Sequence, residues 1–363
     1  MQDLRLVGAS PSCDFSRQTS YLQIDLRLVG ASPSCDLKQL IIDELTVLQD
    51  AEKASKNVFK ARAYTKVING IKLLPFVKSL GDLKSVEGIG EKIHAKIAEI
   101  IKTGSLHQAD KIRKSEHFGT VSELSKVYGI GPSKAQECIE NDIFTVDQLR
   151  AYVKSNPDFC TENQKKGLLY YDDFLCRIPF AEMLEHEKYI KQVCSKVNPA
   201  AKVELVGSFR RKQASSGDID VLICNNTDMS DKNLLEDIVA ELEHANFVID
   251  NLALGQKKYM GVCKVAQKAR RLDILVTPPQ QWPFALAYFT GSQDFNIKMR
   301  AKALSLGWSL NEHGLTPNLK STNKKPKSTD ELSSDRSKPI INILTEKDLF
   351  AFLDIPYTLP ENR

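Results

Sequence analysis

The chain has 363 residues, with 50 Lys and Arg against 46 Asp and Glu, a formal charge of +4, and 42% apolar residues. That composition fits a globular protein with room for two or more cores and excludes a disordered or fibrous chain. No run approaches the roughly 18 apolar residues of a membrane span, and the polar N-terminal stretch has no signal-peptide core, so an intracellular protein is expected. The eight cysteines (13, 35, 138, 160, 176, 194, 224 and 263) include no CxxC pair. Neither a zinc site nor a disulfide framework is indicated, and reduced, mostly buried thiols are expected.

In chain order, residues 3–14 and 25–36 are the same string, DLRLVGASPSCD. One repeat pair is too few for a solenoid, and the Ser and Pro content predicts a loose, disordered extension over 1–36 without a catalytic role. From Leu37 to Arg113 apolar residues recur at three- and four-residue spacings, through LKQLIIDELTVLQ and KIHAKIAEIIK, which predicts a helical domain over 37–114. This segment carries 15 Lys and Arg against 9 Asp and Glu, a local excess of +6 that suits a polyanion. Residues 115–180 read as a second helical unit, broken at Gly129-Ile130-Gly131-Pro132 and at Asn156-Pro157.

Two segments, VEGIG (Val86–Gly90) and VYGIG (Val127–Gly131), each lie between helical runs. Their glycines, Gly88, Gly90, Gly129 and Gly131, permit a tight turn and close approach of backbone N–H groups to a DNA phosphate. One such turn is usually a plain interhelical connection; two copies about 40 residues apart, followed by Lys92 and Lys134, point to sequence-independent DNA binding. After the first, Lys92 and Lys96 lie four apart on one helical face. A solvated basic face is the ordinary reading; beside a phosphate-binding turn, one ammonium can also promote the neutral, nucleophilic form of its neighbour.

From about residue 181 the pattern becomes mixed: a helix over Met183 to Val197, strands KVELVG, DIDVLIC, YMGVCKVA and RRLDILVT, and a helix at NLLEDIVAELEHA. Asp218 and Asp220 open an apolar strand two residues apart, so both project to one face, and Asp273 sits in a second strand between Leu272 and Ile274. Three converging carboxylates repel one another unless hard divalent cations lie among them. Upstream, Gly207-Ser208 opens a short helix carrying Arg210 and Arg211, whose free N–H groups favour a phosphate. Phosphate, metal and hydroxyl nucleophile together mean nucleotidyl transfer. Residues 318–339 are rich in Ser, Lys and Pro and read as an inserted surface loop.

The order GS, basic helix, SSGDID and RRLDIL, followed by YFTGSQDFNIKMR (288–300) and GWSLNEHGL, resembles the family X DNA polymerases of the beta type over nearly all of residues 37–363. The resemblance implies an α+β multidomain fold: a helical 5'-deoxyribose-phosphate lyase domain with helix-hairpin-helix motifs (37–114), a helical DNA-binding subdomain (115–180), a nucleotidyltransferase palm with a mixed sheet (181–287) and a nucleotide-binding subdomain (288–363). It implies a monomeric, nuclear or mitochondrial enzyme that fills short gaps in base excision repair, binding gapped or primed DNA, dNTPs and other repair proteins. An end-joining or terminal-transferase polymerase and a non-catalytic gapped-DNA binder are the alternatives. The N-terminal part is shorter than a BRCT domain, and no long loop follows the LIC strand; both features argue against the first alternative.

By the same resemblance, Asp218 and Asp220 hold two Mg2+ (or Mn2+) and Asp273 the catalytic one. Arg177, Gly207, Ser208, Arg211 and Gly217 match triphosphate contacts. Tyr288, Phe289 and Gly291 match the turn that excludes a ribose hydroxyl. Asn296 and Arg300 match minor-groove contacts, and Arg271 a DNA contact. Lys96 matches the Schiff-base nucleophile, with Lys92 and Lys84 as 5'-phosphate ligands. The carbonyls of Lys84, Val86 and Ile89, and of Ser125, Val127 and Ile130, match two sites for a monovalent cation, Na+ or K+. Ser105 and Gln108 stand where the family pattern carries lysines, and Gln293 where it carries an aspartate.

Overall fold

The computed structural model describes residues 33–226, 229–265, 267–318 and 343–363. The duplicated string up to residue 32 and most of the expected insertion lie outside these residues. The first helix, α1 (Pro33–Ala54), starts inside the expected extension, with Pro33 at its first position, where a missing N–H costs nothing.

α1, α2 (Val58–Leu73), α3 (Glu91–Thr103) and α4 (His107–Arg113) enclose a core of Ile41, Leu45, Leu48, Val67, Ile71, Ile97 and Ile100. These residues recur every three or four positions, which places them on one stripe of each helix. Buried Glu44 ties the bundle together, accepting from Leu106 N at 3.1 Å and from Arg113 Nη2 at 2.7 Å. A second helical cluster, around Leu124, Ala135, Cys138 and Leu149, is built by α5 (Glu116–Leu124), α6 (Pro132–Glu140), α7 (Val146–Ser155), α8 (Glu162–Leu169) and α9 (Tyr171–Leu175). Thr145 and Thr161 start α7 and α8 with reciprocal capping boxes to Gln148 and Gln164.

A two-residue bridge pairs β1 (Ile178–Pro179) with β3 (Ser215–Ser216). The main sheet has the order β2 (Lys202–Leu205), β4 (Ile219–Cys224), β7 (Arg270–Thr277), β6 (Lys258–Cys263), β5 (Val248–Leu254), with β4 and β7 parallel and the other neighbours antiparallel. Ile219, Val221 and Ile223 of β4 and Leu272, Ile274 and Val276 of β7 pack under α10 (Phe180–Val197) and α12 (Asp231–His244). Strand alternation sends Asp220, Leu222, Asp273 and Leu275 to the opposite face. There α13 (Trp282–Thr290) covers Leu222 and Cys224 with Trp282 and Leu286; the acids lie beyond that cover.

The expected boundary at 287/288 falls inside α13, which packs on both sides: its Phe284 and Ala287 join Met299 of α14 (Gln293–Ser305) and Leu349 and Phe350 of α15 (Glu346–Phe352). A hairpin of β8 (Trp308–Asn311) and β9 (Gly314–Pro317) completes this last unit. β5, absent from the expected strands, is broken in register between Val248 and Asp250 and again between Asn251 and Ala253. These irregularities erase the period-two pattern that would mark it.

Candidate active site

Asp220 and Asp273 are register partners across the parallel β4–β7 pair, and Asp218 lies two residues before Asp220. Burial, then the charges of Asp218 and Asp273, push Asp220 up to about 7. Burial also raises Asp273, against the pull of Arg271 and Lys258. The three side chains do not converge on one centre as the sequence predicts. Asp218 is paired with Arg271 Nη2, Asp273 Oδ2 faces Lys258 Nζ at 3.6 Å, and among the described residues no group of three His, Cys, Asp or Glu side chains is gathered to hold a metal. The donor set still suits a hard divalent ion: every ligand is a carboxylate oxygen, and Asp273 Oδ1 is buried without a hydrogen-bond partner.

Backbone geometry holds Asp220 close to the start of α11 (Gly207–Arg210): Val206 N donates to Asp220 O at 2.8 Å. A Cβ at Gly207 would lie 2.3 Å from Asp220 Oδ2, and the residue has φ +59°. Only glycine satisfies both demands. Arg270 and Arg271, adjacent in sequence, part by strand alternation: Arg270 is buried in a bidentate pair with Glu182, while Arg271 turns to the acids.

Asp218 and Asp220 open into a cleft of about 1150 Å³ lined by Arg177, Gly207, Ser208, Arg211, Gly217, Tyr288, Phe289, Gly291, Asn296 and Arg300. All nine residues expected at the nucleotide line it, and Arg300 joins them. Arg211 Nη1 donates to Thr290 O at 2.6 Å, Asn296 Nδ2 to Tyr288 O at 2.7 Å, and Arg177 Nε to Ser215 Oγ at 2.8 Å. The Arg300 guanidinium lies over the Tyr288 ring, 4.9 Å from its centre. Thr65, Asn69 and Lys72 of α2 line it as well, and Lys72 Nζ bridges to Asp294 Oδ1 at 2.8 Å.

The two glycine turns lie where expected, Val86–Gly90 before α3 and Val127–Gly131 before α6, with Gly88 at φ +97° and Gly129 at φ +82°. Lys84, Gly88, Gly90 and Lys92 are exposed. Among the candidate cation-binding carbonyls, that of Val127 already accepts from Ile130 N at 3.0 Å. Lys134 departs from its expected role: it pairs with Glu137 and lies 3.6 Å from the centre of the Phe159 ring, turned into its own domain. Lys96 is half-buried on α3, its Nζ donating to Gln108 Oε1 at 2.7 Å.

Four family models match successive segments: a helix-hairpin-helix domain over 36–106, the fingers domain of DNA polymerase lambda over 122–175, the DNA polymerase beta palm over 177–279 and the DNA polymerase beta thumb over 285–363. The chain belongs to the family X DNA polymerases. It is 32% identical over 332 residues to DNA polymerase lambda of Rattus norvegicus, covering 89% of this chain and 56% of that one. To DNA polymerase lambda of Arabidopsis thaliana it is 30% identical over 314 residues, covering 83% and 57%. This family X chain therefore spans a little over half the length of these relatives. Its palm and thumb match beta-type models, while its fingers and both relatives are of the lambda type.

Two residues of this family X chain escaped the sequence reading. Lys258 reaches Asp273 only through the β6–β7 pairing, which no local signal announces. Phe59, 84% exposed at the start of α2, stands among Lys56, Lys60 and Arg62. An apolar ring left in water between cations is the pattern of a base-stacking platform, and KNVFKAR carries it in the sequence. No described helix is long and apolar enough to cross a membrane.

Proposed function

We propose that the chain is a template-directed DNA polymerase that fills short gaps and carries 5'-deoxyribose-phosphate lyase activity, acting in base excision repair. The observation that carries this reading is that Asp218 and Asp220 line a cleft shared by the palm, the nucleotide-binding subdomain and the lyase-domain helices, with Asp273 the register partner of Asp220 on the next strand.

Asp218, Asp220 and Asp273 would hold Mg2+ or Mn2+, which when bound lowers the pKa of the primer hydroxyl and neutralises charge on the transferring phosphate. Asp273 Oδ1, buried and unpartnered, is the atom to receive the 3'-hydroxyl proton. Arg177 and Arg211, with the Gly207-Ser208 and Gly217 backbone, take the triphosphate. Tyr288, Phe289 and Gly291 close on the sugar, and Asn296 and Arg300 test the minor-groove edge of the new pair, where acceptors are nearly common to all pairs. Arg271 contacts DNA once Asp218 leaves it for the cation.

At the other end of a gap, Lys96 attacks C1' of the deoxyribose phosphate, held by Lys84 and Lys92. Phe59 stacks on an unpaired template base. The glycine turns position the backbone, with Na+ or K+ on the carbonyls of Lys84, Val86, Ile89, Ser125, Val127 and Ile130. The partners are gapped DNA, dNTPs and other repair proteins, met by a monomer in the nucleus or mitochondrion. A templated reaction is favoured over terminal transfer by short palm connections: residues 225–230 join β4 to α12, and 255–257 join β5 to β6.

The test compares extension on one-nucleotide-gapped, nicked and open template-primer DNA, with and without a 5'-phosphate. The reading expects fastest insertion on the 5'-phosphorylated gap, and none by Asp220→Ala. Normal extension by Asp220→Ala would refute the palm assignment.

A further inference from the structure

We propose that Gln108 is a positioning residue for the lyase step, its carboxamide holding and aiming the Lys96 amine. The inference rests on the lyase reading above. The turn between α3 and α4 is tightly tied down. Gly104 adopts the left-handed conformation at φ +77°, Thr103 Oγ donates to Ser105 O at 2.8 Å, and Glu99 Oε1 accepts from His107 N at 2.8 Å. Buried Glu44 accepts from the next N–H back, that of Leu106. The first turn of α4 is thereby fixed against α3, and Gln108 is carried onto Lys96 Nζ, 2.7 Å from its Oε1.

Chemistry fixes the amide orientation. A lysine only donates when charged, so the oxygen must face it and the Nε2 hydrogens must point elsewhere, free to donate to a bound phosphate. Once Lys96 has lost a proton it still carries N–H bonds. Keeping one on Gln108 turns the lone pair away from the amide and toward the ligand. The amine then forms the C–N bond to the C1' aldehyde, the carbonyl oxygen leaves as water with two protons from the nitrogen, and an imine remains that borohydride reduces. A neutral amide at 108 adds no charge of its own beside Lys96, whereas a carboxylate there would favour the ammonium and a second ammonium would disfavour it.

The experiment measures borohydride trapping of the full-length chain on an incised abasic substrate as a function of pH. Wild type, Gln108→Ala, Gln108→Glu, Gln108→Lys and Lys96→Ala are compared, with melting curves for each. We expect Gln108→Ala to trap roughly tenfold more slowly. The pH of half-maximal trapping should rise by about one unit in Gln108→Glu and fall by about one in Gln108→Lys. Unmoved midpoints in both charged variants, with Lys96→Ala untrapped, would overturn the role of Gln108 and leave the lyase reading standing. Trapping of Lys96→Ala as fast as wild type would remove both.

Discussion

Asp220 and Asp273 face each other across two parallel strands whose one-residue register places both carboxylates on the sheet face that α13 leaves open. That placement raises both, since burial disfavours the charged form and the neighbouring acids add to it, and it pushes Asp220 up to about 7. An acid raised on folding binds a proton as the chain folds, so its contribution to stability is present at low pH and declines as the pH rises from about 4 to about 7. At about 1.4 kcal/mol per unit, the decline is on the order of a few kcal/mol. Asp220→Asn should remove it. Melting temperatures across this range should show the variant gaining on wild type toward pH 7; parallel curves would contradict the coupling.

Divalent cations should act on the same term. Mg2+ added at pH 8 should raise the melting temperature of wild type and leave Asp220→Asn nearly unmoved, because a ligand of the folded state stabilises by mass action. Differential scanning fluorimetry with and without EDTA reads the difference.

Gly207→Ala should cost activity rather than fold. The added Cβ would lie 2.3 Å from Asp220 Oδ2, forcing the carboxylate aside, and a misplacement near 1 Å costs about a hundredfold in rate. Single-nucleotide insertion should fall by about that factor, with the circular dichroism spectrum retained. An unaffected rate would mean that Asp220 is free to shift without loss.

Glu346 anchors the segment matching the thumb model to the palm. Burial would raise its carboxyl, but Arg210 at 2.7 Å and Arg363 at 2.7 Å hold it below the usual range. Glu346→Ala leaves two guanidinium groups without their carboxylate and should cost about 3–5 kcal/mol in urea unfolding. Arg210, neighbour of the expected phosphate ligand Arg211, is committed to this pair and to Thr290 Oγ at 2.6 Å, so its loss should lower stability before it alters nucleotide affinity.

Phe59→Ala should weaken binding to gapped DNA by roughly tenfold, since stacking on an aromatic ring contributes about 1–3 kcal/mol per base. Thermal stability should be unchanged, the ring being in water. Fluorescence anisotropy with gapped and fully duplex DNA separates a template-base contact, which weakens only the first, from a general one.

What could be read from the residues alone divides by sequence distance. Glycine turns, the Asp218–Asp220 spacing and the helical stripes are local patterns, and each appears in the structure where the spacing puts it. Contacts made by register or across a turn had no such trace. Lys258 meets Asp273 through strand pairing, Gln108 meets Lys96 across the α3–α4 turn, and Lys72 meets Asp294 across the cleft. Lys134 looked like a DNA contact because sequence records a charge and not its direction; Glu137 and the Phe159 ring capture it. Asp220 and Asp273 share one sheet face as register partners, but the orientation of the acids depends on counter-charges: Arg271 pairs with Asp218 and Lys258 with Asp273.

The gathering of a divalent ion by Asp218, Asp220 and Asp273 is tested most directly by anomalous diffraction from crystals grown with Mn2+, a gapped DNA and an incoming dNTP. The account predicts Mn2+ peaks touching all three carboxylates, with Asp218 turned away from Arg271. Peaks elsewhere, or an Asp218–Arg271 pair intact beside a bound nucleotide, would contradict it.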